Sequence, residues 1–338
     1  MSLLDELNDA SRWEAFYAYK ASRACPTAFV RALRAFIDAE GWRPVCAAIA
    51  REEPFPLPRK AVISKLSTGK KRVVYTYPEP ENTVLKLLTH LLLRRYDALF
   101  SPNLYSFRPG VTAKDAIRRL TRTPALRRMT AYQTDVSNYF NSIPVERLLP
   151  LLEAALADDP RLFRFLRRLL TEPRALENGV PVVEPKGVMA GTPLSAFYAN
   201  LYLADLDRRY WTAGVPYARY SDDVILFAPD RAAAETLADE LRASLAARGL
   251  AVHPEKERFS APETGWDFLG FHCAAGEVDI ASASVRKIKA KMRRKTRALL
   301  RWRARSEAQP ERAAAAFLRV FRRKLFSGGE DGDLTWSR

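Results

Sequence analysis

The stretch that most constrains this chain is YARYSDDVILF, residues 217–227. Tyr217 to Tyr220 form one apolar-rich arm and Val224 to Phe227 another, both of residue types that suit strands, with Ser221-Asp222-Asp223 between them as a hairpin tip. Two adjacent carboxylates repel each other and lose hydration on burial, so apolar arms that present them call for a compensating cation. A divalent ion supplies it. Phosphoryl transfer with two magnesium ions about 3.5–4 Å apart needs carboxylates from more than one strand. Asp135, ending a predicted strand over 130–136, is the natural third ligand. Taken alone, an Asp-Asp pair is more often a polar turn; the rest of the chain decides between the two.

Residues 1–50 read as helical, and Pro54, Pro56 and Pro58 then break the pattern. KRVVYTY at 71–77 is β-branched and aromatic, as a strand should be, and follows a turn at Gly69. Thr83 to Phe100 reads as a buried helix, and Pro144 opens another that runs toward Leu156. Two further helical segments flank a Gly/Pro-rich loop at Asn178 to Thr192, the second running from Pro193 through Asn200 and Asp207. A helix over Arg231 to Arg248 is capped by Gly249, and WDFLGF at 266–271 is strand-like. Cys25, Cys46 and Cys273 lack CxxC spacing, which argues against a disulfide framework or zinc site, and His90, His253 and His272 are assigned no chemistry.

Charge singles out the C-terminal part. Ser284 to Phe326 carries 16 Lys or Arg against Glu307 and Glu311, or +14 of a whole-chain net charge of +16. Such a block is the footprint expected for a phosphate backbone, with a solvated helix face or an acidic lipid surface as alternatives. No run of 18 apolar residues occurs, and the first residues carry acids where a signal peptide would carry bases. A cytoplasmic protein without membrane partners is expected.

Six segments, in order, resemble the reverse transcriptase family over roughly residues 60–275. YARYSDDVILF resembles its tyrosine-x-aspartate-aspartate hairpin, and QTDVSNYFNSI at 133–143 resembles the segment with the first aspartate and an aromatic pair. GTPLSAFYANLYLADLD at 191–207 is similar to the loop and helix that hold the template and incoming base. LYSFRPGVTAKDAI at 104–117 resembles the prokaryotic SxFRxG segment, GLAVHPEK at 249–256 the post-catalytic loop, and WDFLGF the primer-grip strand.

The resemblance implies an α+β right-hand polymerase with helical fingers, an antiparallel palm sheet and a basic helical thumb. Its boundaries would be an N-terminal helical extension at 1–59, fingers with part of the palm at 60–129, palm at 130–275 including a template loop at 178–200, thumb at 276–326 and a flexible tail at 327–338. It implies two magnesium ions, with manganese as a substitute, on Asp135, Asp222 and Asp223 and the Val136 carbonyl. Lys65, Arg72, Phe140 and Lys256 would serve the nucleotide: cations on the triphosphate, Phe140 under the sugar to exclude a 2′ hydroxyl, Lys256 beside the leaving pyrophosphate. Arg108, Gly191, Pro193, Ser195, Arg293, Arg294 and Lys295 would serve template and primer. Partners would be an RNA template or noncoding RNA, deoxynucleotides and the DNA product, and a homo-oligomer is compatible with the sequence.

Two departures narrow the resemblance. Ser221 replaces the usual alanine, and the loop GVMAGTPLSA has Ala190 and Ala196 where intron-type and retron relatives carry glutamine and proline. Only about 67 residues follow WDFLGF, too few for an added maturase or endonuclease domain, and the retron NAxxH and VTG segments are lacking. What remains resembles small stand-alone bacterial reverse transcriptases, many associated with phage defence. The alternatives are protein-primed or template-independent synthesis, and, in another class, an idle maturase-like RNA-binding protein. Retention of a repulsive carboxylate cluster argues against the idle reading.

Overall fold

The computed structural model describes residues 1–23, 25–64, 71–184, 187–306 and 309–325. Lys65, the turn at Gly69 and the tail 327–338 lie outside them. Contacts divide the chain into two units, Met1–Thr112 with Ala131–Phe259, and Ala113–Thr130 with the chain from Ser260 onward.

The first unit begins with helices Leu3–Glu6, Ala10–Ala21, Thr27–Asp38 and Trp42–Ala50, which send Trp13, Phe16, Ile37 and Trp42 into the main core. The proline-rich linker leads to antiparallel strands β1 (Arg59–Ser64) and β2 (Lys71–Thr76). The helix expected from Thr83 starts earlier, at Glu79, because Pro78 caps it and Pro80 fits the first turn, where no N–H partner is needed. Apolar residues follow one another along it almost without a break, and Val84, Leu85, Leu87, Leu88 and Leu92 are all fully buried.

Strand β3 (Thr130–Asp135) is buried at every position and ends on the first aspartate. Helices Val145–Ala155 and Pro160–Thr171 follow, then the antiparallel pair β4 (Arg174–Glu177) and β5 (Val180–Val183). The loop expected from Asn178 is therefore partly a hairpin. Asn178 and Gly179 both take positive φ, 52° and 85°, as a two-residue hairpin turn demands. β1, β2, β4 and β5 form one sheet in the order β2-β1-β4-β5.

The helix expected from Pro193 is two, Ser195–Tyr202 and Ala204–Thr212, and leads into β6 (Tyr217–Tyr220) and β7 (Asp223–Ala228), the predicted hairpin. After helix Arg231–Ala246 comes β8 (Arg258–Ser260), and the second sheet has the order β6-β7-β3-β8. This arrangement puts Asp135 and the Ser221–Asp222 tip on neighbouring strands.

In the second unit, WDFLGF is not one strand. β9 (Trp266–Phe268) turns at Leu269-Gly270 into β10 (Phe271–Ala274), and Ala275-Gly276 turn that into β11 (Glu277–Ile280), an antiparallel meander. The basic block follows as two helices, Ser282–Ser306 and Pro310–Leu325, with Arg293, Arg294 and Lys295 exposed. Among the described residues no helix is long and apolar enough to cross a membrane.

Candidate active site

The two leading carboxylates are placed by main-chain bonds. Val136 N–H donates to the Asp222 carbonyl at 2.9 Å, which ties the hairpin tip to the end of β3. On the other side, His253 N–H donates to the Asp135 carbonyl at 2.8 Å and Ser137 N–H to the Ala251 carbonyl at 2.8 Å, so the post-catalytic loop pairs with the same turn. The Val136 carbonyl takes no part in these bonds.

Burial and, next, the negative charge of Asp135 hold the Asp222 carboxyl above the ordinary carboxylate range, with the Lys256 ammonium opposing them. Lys256 Nζ itself forms an ion pair with Asp135 Oδ2. The structure thus brings together Asp135, Asp222 and Lys256. Asp223 opens β7 opposite Tyr220, and among the described residues no group of three His, Cys, Asp or Glu side chains is placed to hold a metal ion.

Phe140 lies on the short helix Tyr139–Ser142, half-buried, with its ring 6.5 Å from that of Phe107 and 5.7 Å from that of Tyr139. The loop before Pro193 packs on this helix: Gly187 N–H donates to the Asn141 carbonyl at 3.0 Å and Val188 N–H to the Phe140 carbonyl at 2.9 Å. Ala190 N–H donates to Asn141 Oδ1 at 3.1 Å, and the Ala190 carbonyl accepts from Tyr75 N–H at 2.8 Å. Gly191 has φ +101°, and a Cβ there would meet the Tyr75 carbonyl at 3.0 Å, so this position needs glycine on two counts. The loop is thereby joined to β2, which carries exposed Arg72.

Two residues expected at template or primer face inward. Arg108 forks onto Asp97 at 2.8 and 2.9 Å and donates to the Ser101 carbonyl at 2.8 Å, which shapes its own loop. Ser195 is buried and its hydroxyl donates to the Thr192 carbonyl at 2.7 Å. Gly191 stays exposed and Pro193 half-exposed.

Sequence reasoning missed the support beneath the tip. Arg219 and Asp207 are both 0% exposed and pair through Nε–Oδ1 at 2.8 Å and Nη2–Oδ2 at 2.5 Å. Asn200 and Ser106, from two of the motif segments, bond each other at 2.8 and 3.1 Å. The missed signal is that β6 is apolar on both sides of Arg219, so a charge there must find a buried partner.

A family model described as reverse transcriptase (RNA-dependent DNA polymerase) matches residues 60–273. An uncharacterized 91 kDa protein in the cob intron of Schizosaccharomyces pombe is 29% identical over 150 residues, 44% of this chain and 18% of that protein. Apo telomerase from Candida tropicalis, truncated from its C-terminal domain, matches with a TM-score of 0.53 at 12% identity, covering 66% of this chain and 55% of that one. Telomerase from the same organism in complex with a fragment of telomeric RNA matches with a TM-score of 0.54 at 11% identity, over 72% and 48% of the two chains. The chain spans about half the length of those telomerase chains and under a fifth of the intron protein. At such identities the telomerase likeness is one of fold, and it bears out the expected α+β right-hand polymerase with an antiparallel sheet.

Proposed function

The chain belongs to the reverse transcriptase family, and from that premise we propose that it is an RNA-directed DNA polymerase, extending a 3′ hydroxyl with deoxynucleotides and releasing pyrophosphate. The observation that carries this reading is the bond from Val136 N–H to the Asp222 carbonyl, which fixes two mutually repelling carboxylates beside one ammonium.

Magnesium fits this donor set. It is a hard cation that keeps several waters and takes one or two carboxylates, so a three-carboxylate cage is not required. Asp135 and Asp222 would hold it, Asp223 and the Val136 carbonyl would assist, and manganese would substitute. When bound, such ions offset the charge that keeps an attacking oxygen from a triphosphate. The chain's own residues do the rest. Arg72 offers a guanidinium fork to the triphosphate, Phe140 fills the space a 2′ hydroxyl would need, and Lys256 reaches from Asp135 toward the leaving pyrophosphate. The exposed cations of the Ser282–Ser306 helix bind the primer-template backbone.

The test is primer extension on an RNA template with magnesium, with chelator, and with Asp222→Asn. Extension should need the ion and vanish in the variant while circular dichroism stays unchanged. A variant that extended at the wild-type rate with normal metal dependence would overturn the assignment.

The finer reading is a bacterial enzyme dedicated to one RNA and serving phage defence. Its support is Ala190: both main-chain groups of that residue are engaged and its methyl cannot hydrogen-bond a template, as a glutamine could. Specificity would then come from shape and phosphate contacts to a structured RNA. Sequencing the nucleic acid that copurifies tests it; a protein free of RNA that copies arbitrary primed templates efficiently would sink the idea.

A further inference from the structure

The tip that carries Asp222 rests on a buried guanidinium. Ser221 has φ +61°, a region L residues occupy only where their surroundings enforce it. Arg219 Nη1 donates to the Ser221 carbonyl at 3.1 Å, while Nη2 donates to the Asn200 carbonyl at 3.3 Å and the fork holds Asp207. Asp207 is fixed in turn: Tyr217 OH donates to its Oδ1 at 2.9 Å and Asn103 Nδ2 to its carbonyl at 2.8 Å. Arg219's own main chain is pinned as well, its N–H donating to the Asn103 carbonyl at 3.0 Å and its carbonyl accepting from Tyr105 N–H at 2.9 Å.

We infer that Arg219 is a positioning residue: its guanidinium fixes the Ser221–Asp222 peptide and so sets the spacing of the Asp222 carboxylate from Asp135. The inference rests on the carboxylate reading above. The Ser221 carbonyl belongs to the peptide that enters Asp222, and the Asp222 carbonyl, held by Val136 N–H, belongs to the peptide that leaves it. Both planes flanking Asp222 are therefore clamped, one by Arg219 and one by the end of β3.

The clamp works by geometry and not by charge. Asp207 neutralises the guanidinium at 2.5 Å, so what Arg219 gives the tip is its hydrogen bond to the Ser221 carbonyl. Stability alone does not explain the pair either, since well-packed apolar residues commonly replace a buried ion pair without loss. An apolar pair cannot donate to the Ser221 carbonyl. Lysine cannot replace the fork, because a single ammonium cannot span both Asp207 oxygens and the Asn200 and Ser221 carbonyls at once.

The experiment compares Arg219→Lys and the double variant Arg219→Met with Asp207→Leu against wild type. Its readouts are thermal midpoint, binding of Mn²⁺ alone by electron paramagnetic resonance, amide exchange at Val136 in the metal-free protein, and kcat against KM. Arg219→Lys keeps the buried charge pair and should fold, yet bind Mn²⁺ about tenfold more weakly. Exchange at Val136 should quicken, and kcat should fall with KM for the deoxynucleotide little changed. The double variant, with no buried charge left to satisfy, should bind Mn²⁺ no better than Arg219→Lys whatever its midpoint, which separates positioning from packing. A folded Arg219→Lys with wild-type Mn²⁺ affinity and Val136 exchange overturns the clamp, and this variant decides the matter if the double variant misfolds. Asp222→Asn distinguishes the two layers: if it leaves Mn²⁺ binding intact, the carboxylate reading has failed; if it abolishes binding while Arg219→Lys does not, the clamp alone has failed.

Discussion

Gly187→Ala should be among the most damaging single-methyl additions in the chain. A Cβ at Gly187 would lie 2.3 Å from the Ile143 carbonyl oxygen, 2.8 Å from the Phe140 carbonyl oxygen and 2.9 Å from Ile143 N. All three are main-chain atoms, so no side chain can swing away, and the loop must retreat by about 1 Å in a packed interior. That retreat breaks or stretches the bonds from Gly187 N–H to Asn141 and from Val188 N–H to Phe140. At about 0.5–1.5 kcal/mol for each of the two bonds, plus about 1–3 kcal/mol for overpacking, and less about 0.4–1 kcal/mol for the stiffer unfolded chain, the net loss is about 1–6 kcal/mol, centred on ~3 kcal/mol. For a domain of this size, at about 2 °C per kcal/mol, that lowers the melting midpoint by about 2–12 °C.

The control is Gly214→Ala, where nothing lies within 4 Å and only φ +68° opposes the methyl, so it should cost about 1–2 kcal/mol. Differential scanning calorimetry reads the midpoints, and single-nucleotide incorporation reads KM, which should rise because the displaced loop is bonded to the Phe140 helix. Should Gly187→Ala melt no lower than Gly214→Ala, the close approach is not a constraint and the reasoning fails.

Three further outcomes follow from the same geometry. Phe140→Ala should admit ribonucleotides, shrinking the deoxy-over-ribo ratio in kcat/KM; an unchanged ratio makes Phe140 a packing residue. Neutralising Arg293, Arg294 and Lys295 should weaken primer-template binding for all sequences and reduce the slope of log K against log salt by about 3; an indifferent slope favours a solvated helix face. His90 packs on Phe16 and Tyr19, and burial first, then Arg94 and Lys20, push it down to about 3 from 6.5. Its folded value is below its unfolded one, so the unfolded chain binds the extra proton, and its contribution is present above pH 6.5 and lost as pH falls toward 3. The melting midpoint should drop through that window, and His90→Phe should flatten the drop; an identical profile in the variant contradicts this account.

What could be read from the sequence was local. The β6–β7 hairpin was legible because its arms are apolar and its tip is not, and β3 because it ends in a charge that an all-buried strand would otherwise exclude. The β4–β5 hairpin is hard to read although Asn178-Gly179 is a strong turn signal: its arms are only four residues long, β4 continues a segment that reads as helical, and β5, within the expected loop, contains Pro181. β11 was absorbed into the thumb because Glu277 and Asp279 look like helix surface, whereas Val278 and Ile280 alternate with them as a strand requires. The partners of Arg219 were out of reach for a different reason. Asp207, Asn200 and, through Asn200, Ser106 come from separate elements, and no periodicity within one element records that they meet.

The same distinction explains how the loop before Pro193 accepts alanine at position 190. Its shape is set by main-chain bonds at Gly187, Val188 and Ala190 and by the approach of Gly191 to β2. The side chain that enters this framework is Asn141, whose Oδ1 accepts from Ala190 N–H. None of these contacts uses the side chain at position 190, so the fold of the loop does not depend on which side chain stands there. Glycine at 187 and 191 and asparagine at 141 are then demanded by folding, while the side chain at 190 is not.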